Sequence, residues 1–544
     1  MKTEKAIAEI LRYHERTKHR PDRYARGPGH MDWANEPVPF RFYEGVSPIR
    51  LPLAEEDPAP AFGSLYTRSG CAALPFEPGH IASFLELSLG LSAWKEYSGS
   101  KWALRMNPSS GNLHPTEVYL VLPPIQGIGD SGGVFHYNPY YHGLEPRMRF
   151  GPDLWKQISD NFGCNVFFAG LSSIHWRESW KYGERAFRYC NQDAGHAVAC
   201  LSFAAGLHGW KIRWLNSLSD AEVRTVFGFD RTDWLPREEE YADLLLVIHW
   251  KDEELKSQLL PESSLMTIAS LPCEGEPNTL SRERREWIII DEAAAAAEKM
   301  AAGPLSCSFS DIPYLPAPPA AAAAVIRQRR SAQAYDGSTG MSSEQFFSML
   351  DRTIPRTDCA PFDTCLGDTA VHLLIFAHRI SGIDRGIYFL VRNENDLADL
   401  KKRCRSTFLW QKAAGTPDSL DLYLLEKGDF RDIAAAASCY QDIASDSAFA
   451  AAMIAKFREN IEQEPFSYRR LHWEAGMIGQ VLYLEAEARR LRGTGIGCFL
   501  DDTAHELLGF KDDAYQDIYH FTVGGAVEDT RITTLPPYHH LRVP

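Results

Sequence analysis

Short sequence patterns occur twice in this 544-residue chain, and a chain that repeats itself over such a length folds into two similar units. Ala186-Phe187-Arg188-Tyr189 leads through Gly195 into a long apolar helix, and Phe227-Gly228-Phe229 precedes a strand of residues 243–248. Ser467-Tyr468-Arg469-Arg470 leads through Gly476 into a similar helix, and Leu508-Gly509-Phe510 precedes a strand of residues 518–523. The pairs Arg188/Arg469, Gly195/Gly476 and Gly228/Gly509 all lie 281 positions apart. Upstream, a spacing of 253 sets Pro108 on Pro361 and Gly133-Val134-Phe135 on Gly386-Ile387-Tyr388. Each copy reads as turn, strand, strand, helix, strand, long helix, strand. That is an α+β order, and a period this long means duplicated domains rather than a solenoid.

The expected domains are residues 61–255 and 321–544, with a proline-rich arm over 1–60 and a linker over 256–320 that ends in Pro316-Ala317-Pro318-Pro319 and five alanines. A hydrophobic fraction of 44% suits two packed cores, and no run approaches the roughly 18 apolar residues of a membrane span. The first ten residues are charged and helical, without the apolar stretch of a signal peptide, so a cytoplasmic location and no membrane partner are expected. Eleven cysteines without paired spacing argue for reduced buried thiols rather than a disulfide framework. No metal is expected: His505-Glu506-Leu507-Leu508-Gly509 lacks a second histidine, and His539-His540 point apart. A net charge of −15 repels nucleic acid, so any phosphate needs a local basic pocket.

The most informative local segment runs from Arg105 to Pro115, Arg-Met-Asn-Pro-Ser-Ser-Gly-Asn-Leu-His-Pro, straight into the apolar strand Val118-Tyr119-Leu120-Val121-Leu122. Arg105 can meet an anion, Ser109 and Ser110 can hydrogen-bond a heteroaromatic edge, and Gly111 allows close backbone approach. A serine-rich turn ahead of a strand reads the same way. With Pro108 and Asn112, the segment resembles the flavin-contacting loop of the FMN-dependent nitroreductase superfamily. More narrowly, it resembles the SagB-type azoline dehydrogenases that mature ribosomal peptides, here in a tandem duplicated form. The resemblance implies an α+β fold that works as an intertwined dimer, with FMN held at the interface by both subunits. Two fused copies would make one chain an intramolecular pseudo-dimer.

Comparing the copies shows complementary losses. At the 253 spacing, Pro108-Ser109-Ser110-Gly111-Asn112 falls on Pro361-Phe362-Asp363-Thr364-Cys365, and Arg105 falls on Asp358; both aspartates would oppose a phosphate. At the 281 spacing, Gly493-Thr494-Gly495-Ile496-Gly497 falls on Ile212-Arg213-Trp214-Leu215-Asn216, and Arg531 falls on Trp250. Arg329-Arg330-Ser331 resembles the family's phosphate-binding segment, with Gln333 where a basic residue is usual; the first copy has only Thr67-Arg68-Ser69. By the resemblance, one subunit supplies the arginines and the loop beneath the flavin, and the other supplies Pro-Ser-Ser. One complete FMN site and one degenerate site per chain are therefore expected.

Arg329, Arg330 and Ser331 are read as a basic helix start suited to a phosphate. Gly495, Ile496 and Gly497 are read as a helix C-cap that presents backbone to the flavin's polar edge, not as a dinucleotide motif. Arg531 is a late basic residue for the phosphate, with an ion pair to Glu528 or Asp529 as the alternative. Lys181-Tyr182-Gly183 resembles the Lys-Tyr pair of azoline dehydrogenases, and a desolvated lysine or a tyrosine hydroxyl can take the proton that accompanies hydride removal. His196 is given no role. The expected activity is FMN-dependent hydride transfer on a small molecule or modified peptide, with NAD(P)H as an optional electron donor. The alternatives are an NAD(P)H-dependent nitro or quinone reductase, a flavin-consuming enzyme, and a non-catalytic flavin-binding protein.

Overall fold

The computed structural model describes residues 2–67, 71–250, 252–305, 307 and 309–541. It contains two seven-stranded sheets of the same design. The first runs, edge to edge, Ile49–Arg50, Gly143–Phe150, Gly132–Asn138, Thr116–Leu122, Val166–Ser173, Tyr241–Trp250 and Trp210–Trp214. The second runs Gln411–Lys412, Leu422–Lys427, Gly386–Leu390, Val371–Ala377, Phe449–Lys456, Tyr515–Gly524 and Arg492–Ile496. Every neighbouring pair is antiparallel.

The central strands are largely apolar because both faces are covered. In the first sheet Val118, Leu120 and Leu122 face the long helix Ala186–Leu207, while Tyr119 and Val121 face the helices Pro152–Phe162 and Asp220–Phe227. The second sheet repeats this, with Leu373 and Ile375 toward the long helix Ser467–Ala488 and Leu374 and Phe376 toward Asp501–Leu508. Side chains alternate at the strand period, so each sheet separates two cores.

The long helices join the halves. Every residue of Ala186–Leu207 except Gly206 is buried, since one side packs on its own sheet and the other on Ser467–Ala488. A Cβ on Gly195 would lie 2.2 Å from the Trp473 carbonyl oxygen, and one on Gly476 would lie 2.2 Å from that of Gln192. The two contacts exchange under the 281 spacing. So do two buried ion pairs: Arg188 Nη1 to Asp501 Oδ1 and Arg469 Nη1 to Asp220 Oδ2, each 2.5 Å. Reciprocal contacts of this kind mark a two-fold interface, here built from two parts of one chain.

The chain ends cross over as well. The helix Lys2–Arg16 reaches the second half, where His14 packs on Phe457, while the His14 carbonyl accepts from Arg188 of the first half. The strand Thr533–Leu535 returns to the first half and pairs with Leu91–Tyr97, which pairs in turn with Ser100–Arg105. Among the described residues, no helix is long and apolar enough to cross a membrane.

Two expectations are corrected. The thiols are not all reduced, since Cys307 of the connecting segment is bridged to Cys365, a pairing 58 residues apart that no local spacing announces. The 281 spacing also does not persist to the end. It holds for the long helices and the helices after them, shifts by one at the edge strands, and becomes 274 in the last strand, where Trp250 opposes Trp210 and Gly524 opposes Arg492. Trp250 therefore corresponds to Gly524, and Arg531 lies beyond the repeat.

Candidate active site

Two adjoining cavities of about 300 and 370 Å³ lie between the halves and share walls at Pro108, Ser109, Ser331, Ala332 and Gln333. The first half contributes the loop after Ser100–Arg105. This loop needs three left-handed residues, Gly111, Asn112 and His114, with φ of 60°, 61° and 53°. The His114 amide donates to Ser109 Oγ at 2.8 Å, which closes the turn. The second half contributes two adjacent segments, joined where the Ala332 amide donates to the Gly493 carbonyl at 3.1 Å and Thr494 Oγ1 donates to the Ala332 carbonyl at 2.8 Å.

The smaller cavity is cationic. Lys95, Arg105, Arg329, Arg330 and Arg492 line it. Arg329 donates to the carbonyls of Met106 and Arg105, and Arg330 to those of Arg327, Arg329 and Ser92. Burial, followed by the charges of Arg329 and Arg492, pushes Arg330 down to about 9, and burial lowers Arg329 as well. Arg105 donates to the Thr116 and Pro39 carbonyls, sits 3.8 Å from Glu117 and is pushed down by burial to about 10. Arg105 Nε, Asn107 Oδ1 and His114 Nδ1 are buried here without a hydrogen-bond partner. Glu528 and Asp529 also line the cavity, and Arg492 pairs with Glu487 and lies 3.9 Å from Glu528, so the cations outnumber the carboxylates on the wall by five to two. That excess, with the depressed values of Arg105, Arg329 and Arg330, suits an anion, which would raise them again.

The larger cavity is aromatic. Tyr182, Tyr189, Tyr483 and Tyr519 line it. Its floor depends on glycine, since a Cβ on Gly495 would lie 1.9 Å from the Tyr519 hydroxyl and one on Gly497 would lie 2.3 Å from the Tyr189 ring. The tyrosines are held by polar contacts: Tyr483 Oη to Ser331 Oγ at 2.9 Å, Tyr519 Oη to His196 Nε2 at 3.1 Å, and Tyr189 Oη donating to the Gly497 carbonyl at 3.0 Å. Burial drives His196 down to about 3, so it stands neutral. Asp193, also on the wall, accepts from the Ser110 amide at 3.1 Å and from Ser110 Oγ at 2.9 Å. Burial nevertheless raises it to about 7, against the lowering hydrogen bonds of Ser109 and Ser110. Behind it Glu178 is buried with both carboxyl oxygens unpartnered, and its pKa is pushed well up, first by burial and then by Asp193.

The cleft brings together Arg105, Pro108, Ser109, Ser110, Asn112, Arg329, Arg330, Ser331, Gly495, Ile496, Gly497 and Tyr182. Asn112 there donates to the Ala103 carbonyl. Lys181 stands behind the wall, near Gly111, with Nζ 5.4 Å from the Tyr182 ring. Gly111 leaves room for Tyr182, since a Cβ there would lie 2.5 Å from its hydroxyl.

Three local readings are corrected. Arg329 caps the C-terminus of the helix Ala322–Gln328, so no helix start faces the cationic cavity, and its side chains supply the positive potential instead. Arg492–Ile496 is an edge strand rather than a helix cap, because the preceding helix ends at Ala488 and Arg490, with φ 59°, makes the turn. Arg531 is solvent-exposed and held by Asp529 at 2.8 Å, outside the cavity wall.

Asp193, Tyr189, Tyr483, Tyr519, Lys95 and Arg492 were not legible as site residues. Tyr189, Asp193 and His196 follow the i, i+4, i+7 rhythm of one helix face, a polar stripe in an otherwise apolar helix that could have identified them.

Among the described residues, the pseudo-equivalent position holds about 20 Å³, lined by Phe362, Leu366, Arg470, Glu474 and Met477 among others. There Arg470, Glu474 and Met477 replace Tyr189, Asp193 and His196. Trp214, Phe466 and Trp473 are buried in the adjacent core, with Leu305 and Phe309 of the connecting segment packed against it. Asp363 accepts from Ser202 at 2.6 Å, and Lys211 pairs with Asp358 at 3.2 Å. Arg68 and Ser69, the expected counterpart of Arg330-Ser331, lie outside the described residues.

No protein-family model and no curated protein matches the chain. Among solved structures, a candidate nitroreductase from Anabaena variabilis aligns over 95% of this chain and 99% of its own, with a TM-score of 0.70 and 21% identity. The likeness spans both halves and establishes the architecture: two fused nitroreductase-like α+β domains arranged as an intramolecular pseudo-dimer. A candidate nitroreductase from Ralstonia eutropha covers 42% of the chain at a TM-score of 0.27 and 15% identity, with 89% of its own length aligned. The E. coli microcin synthetase McbBCD complex with truncated pro-MccB17 bound covers 45% at 0.26 and 17% identity, with 92% of that chain aligned. Neither of these partial overlaps carries weight beside the first.

Proposed function

We propose that the chain is an FMN-dependent oxidoreductase with one working site, the two-lobed cleft between its halves. The observation that carries this reading is the pairing of a cationic lobe with an aromatic one. Buried Arg329 and half-buried Arg330, with Arg492 and Lys95, would hold the phosphate, and the tyrosine-lined lobe with its Gly495–Gly497 floor would take the isoalloxazine. FMN, when bound, supplies two-electron hydride chemistry; the protein supplies orientation, exclusion of water and proton transfer. Asp193 can accept or return a proton near neutral pH at its carboxyl, and its hydrogen bonds from Ser110 tie that protonation to the Pro108-Ser109-Ser110 loop. Tyr182, on the same wall and beside Lys181, would offer its hydroxyl to a substrate proton.

Lys181 and Tyr182 converging on Gly111 favours the dehydrogenase direction, oxidation of an azoline-type ring in a modified peptide, over NAD(P)H-driven reduction of nitro compounds or quinones. Turnover of a model thiazoline peptide against turnover of a quinone with NAD(P)H separates the two. Flavin binding by fluorescence quenching tests the shared claim. FMN is expected to bind about 10–100-fold tighter than riboflavin, the worth of one charge-assisted phosphate contact of about 1.5–3 kcal/mol. Equal affinity would remove the phosphate role from the cationic lobe.

A further inference from the structure

Cys498 follows the glycine-rich edge strand and lines the aromatic lobe. Its Sγ lies 3.0 Å from Sγ of Cys439, about 1 Å longer than a disulfide bond of about 2.05 Å and well inside ordinary sulfur contact. Both residues are partly exposed. The flavin reading uses neither sulfur.

The backbone is arranged to make this meeting. Cys439 and Tyr440 are consecutive non-glycine residues in the left-handed region, with φ of 54° and 60°, in the turn between the helices Arg431–Ala437 and Asp442–Ser445. Such a turn is strained and persists where its surroundings fix it. Here Ser438 Oγ bonds His520 Nδ1 at 3.0 Å, and Gln441 Nε2 donates to the Cys498 carbonyl at 3.0 Å. The contacts hold the two sulfur-bearing loops together.

The electrostatics favour a reactive thiolate. Burial raises Cys164, Cys190, Cys200 and Cys404. Cys498 is shifted the other way, first by its contact with Cys439, then by a hydrogen bond with His19 and the charge of Arg185, while Cys439 is pushed up. Arg185 is fixed beside it by donating to the Gly497 carbonyl at 3.0 Å. In the first half, Asn216 and Ser217 stand where Cys498 would fall, so the sulfur pair belongs to the open cleft alone.

We propose that Cys439 and Cys498 form a redox-active dithiol that exchanges two electrons with the flavin of the aromatic lobe, an inference that rests on the flavin reading above. Starting from the Cys498 thiolate and the Cys439 thiol, one S–S bond forms and one S–H bond breaks, releasing one proton and two electrons. Oxidised flavin takes up all three and becomes its anionic reduced form. In reverse, reduced flavin opens the bridge and restores thiolate and thiol. The site thereby adds disulfide chemistry to the hydride chemistry of the cleft, with Cys498 as the sulfur next to the flavin and Cys439 as its resolving partner.

The test uses the full chain loaded with FMN, with FMN per chain counted first. Diamide treatment followed by removal of the oxidant is expected to remove two Ellman-reactive thiols and to yield a linked Cys439–Cys498 peptide by mass spectrometry. Anaerobic dithionite titration of that sample should then consume about four electrons per flavin and return both thiols, against about two in Cys439→Ser and Cys498→Ser, which keep the Cys307–Cys365 bridge. Flavin bound, with about two electrons consumed in the wild type or no linked peptide formed, overturns this inference alone. No flavin bound overturns the flavin reading and this one with it, and the peptide analysis still reports whether the bridge forms.

Discussion

The open cleft and its pseudo-symmetric counterpart are built on the same strands and helices, yet one encloses two cavities of about 300 and 370 Å³ and the other about 20 Å³. Among the described residues the difference lies in side chains and in the connecting segment, whose Leu305 and Phe309 pack against the filled side. Where the cleft has Tyr189, Asp193 and His196, its counterpart has Arg470, Glu474 and Met477, and Glu474 is tied to Arg392 and the Ala370 amide. Where the cleft has glycines at 493, 495 and 497, the opposite edge strand has Lys211, Arg213 and Leu215, with Trp214 buried beside Trp473. A duplicated interface needs only one functional copy, so the other is free to become core. Apolar packing then fixes the halves to one another, each buried large side chain contributing about 1.5–3 kcal/mol.

The reciprocal ion pairs sharpen this contrast, and they carry the largest expected effect. Asp501 faces both Arg185 and Arg188 and, despite burial, is held down to about 2 by them. Asp220 has Arg469, with Phe466 at the position equivalent to Arg185, and burial leaves it raised. Asp501→Asn should therefore cost more than Asp220→Asn, about 3–5 kcal/mol in urea unfolding, because it strands two buried guanidinium groups. Equal costs would break the asymmetry. The sign with pH follows: the Asp501 contribution is present above its unfolded value near 4 and is lost as pH falls toward about 2.

Next in size are the phosphate contacts. Arg329→Ala or Arg330→Ala should weaken FMN binding about 10–100-fold and leave riboflavin binding nearly unchanged, whereas Lys211→Ala and Arg213→Ala in the filled counterpart should alter neither. Fluorescence titration with both flavins reads this directly.

Asp193 gives a smaller, pH-resolved effect. Its folded value near 7 lies above the unfolded value near 4, so its contribution to stability is full below about 4 and is lost as pH rises through 7. Bound-flavin absorbance in the wild type should titrate near 7, and Asp193→Asn should abolish that step. A step that persists in the variant belongs to another group. The smallest effect is that of Arg531→Ala, whose exposed pair with Asp529 should leave FMN affinity within about twofold of wild type.

Much of the architecture was legible because the repeat fixes it: a pattern shared by Arg188 and Arg469, in helices that each bury nearly all their residues, leaves few ways to fold. The cleft's components were also legible as motifs, since Pro108-Ser109-Ser110 and Arg329-Arg330-Ser331 combine small, hydroxylic and basic residues in short runs. What failed was local geometry that depends on distant contacts. Gly493–Gly497 reads as a cap, but pairing of residues 493–496 with Val523, Thr522, Phe521 and His520 of the last strand recruits it as an edge strand. Arg531 reads as a ligand because its partner Asp529, two residues away, competes only once the chain turns there. Tyr483 and Tyr519 belong to no motif; both are buried, and only the packing of the halves makes them walls of the aromatic cavity.

The central claim is that one of two related positions accepts a flavin and the other is filled. The most direct measurement is the amount of FMN released on denaturing the reconstituted, desalted protein, set against protein by amino-acid analysis. About one FMN per chain is the predicted result, and about two, or none, would contradict it.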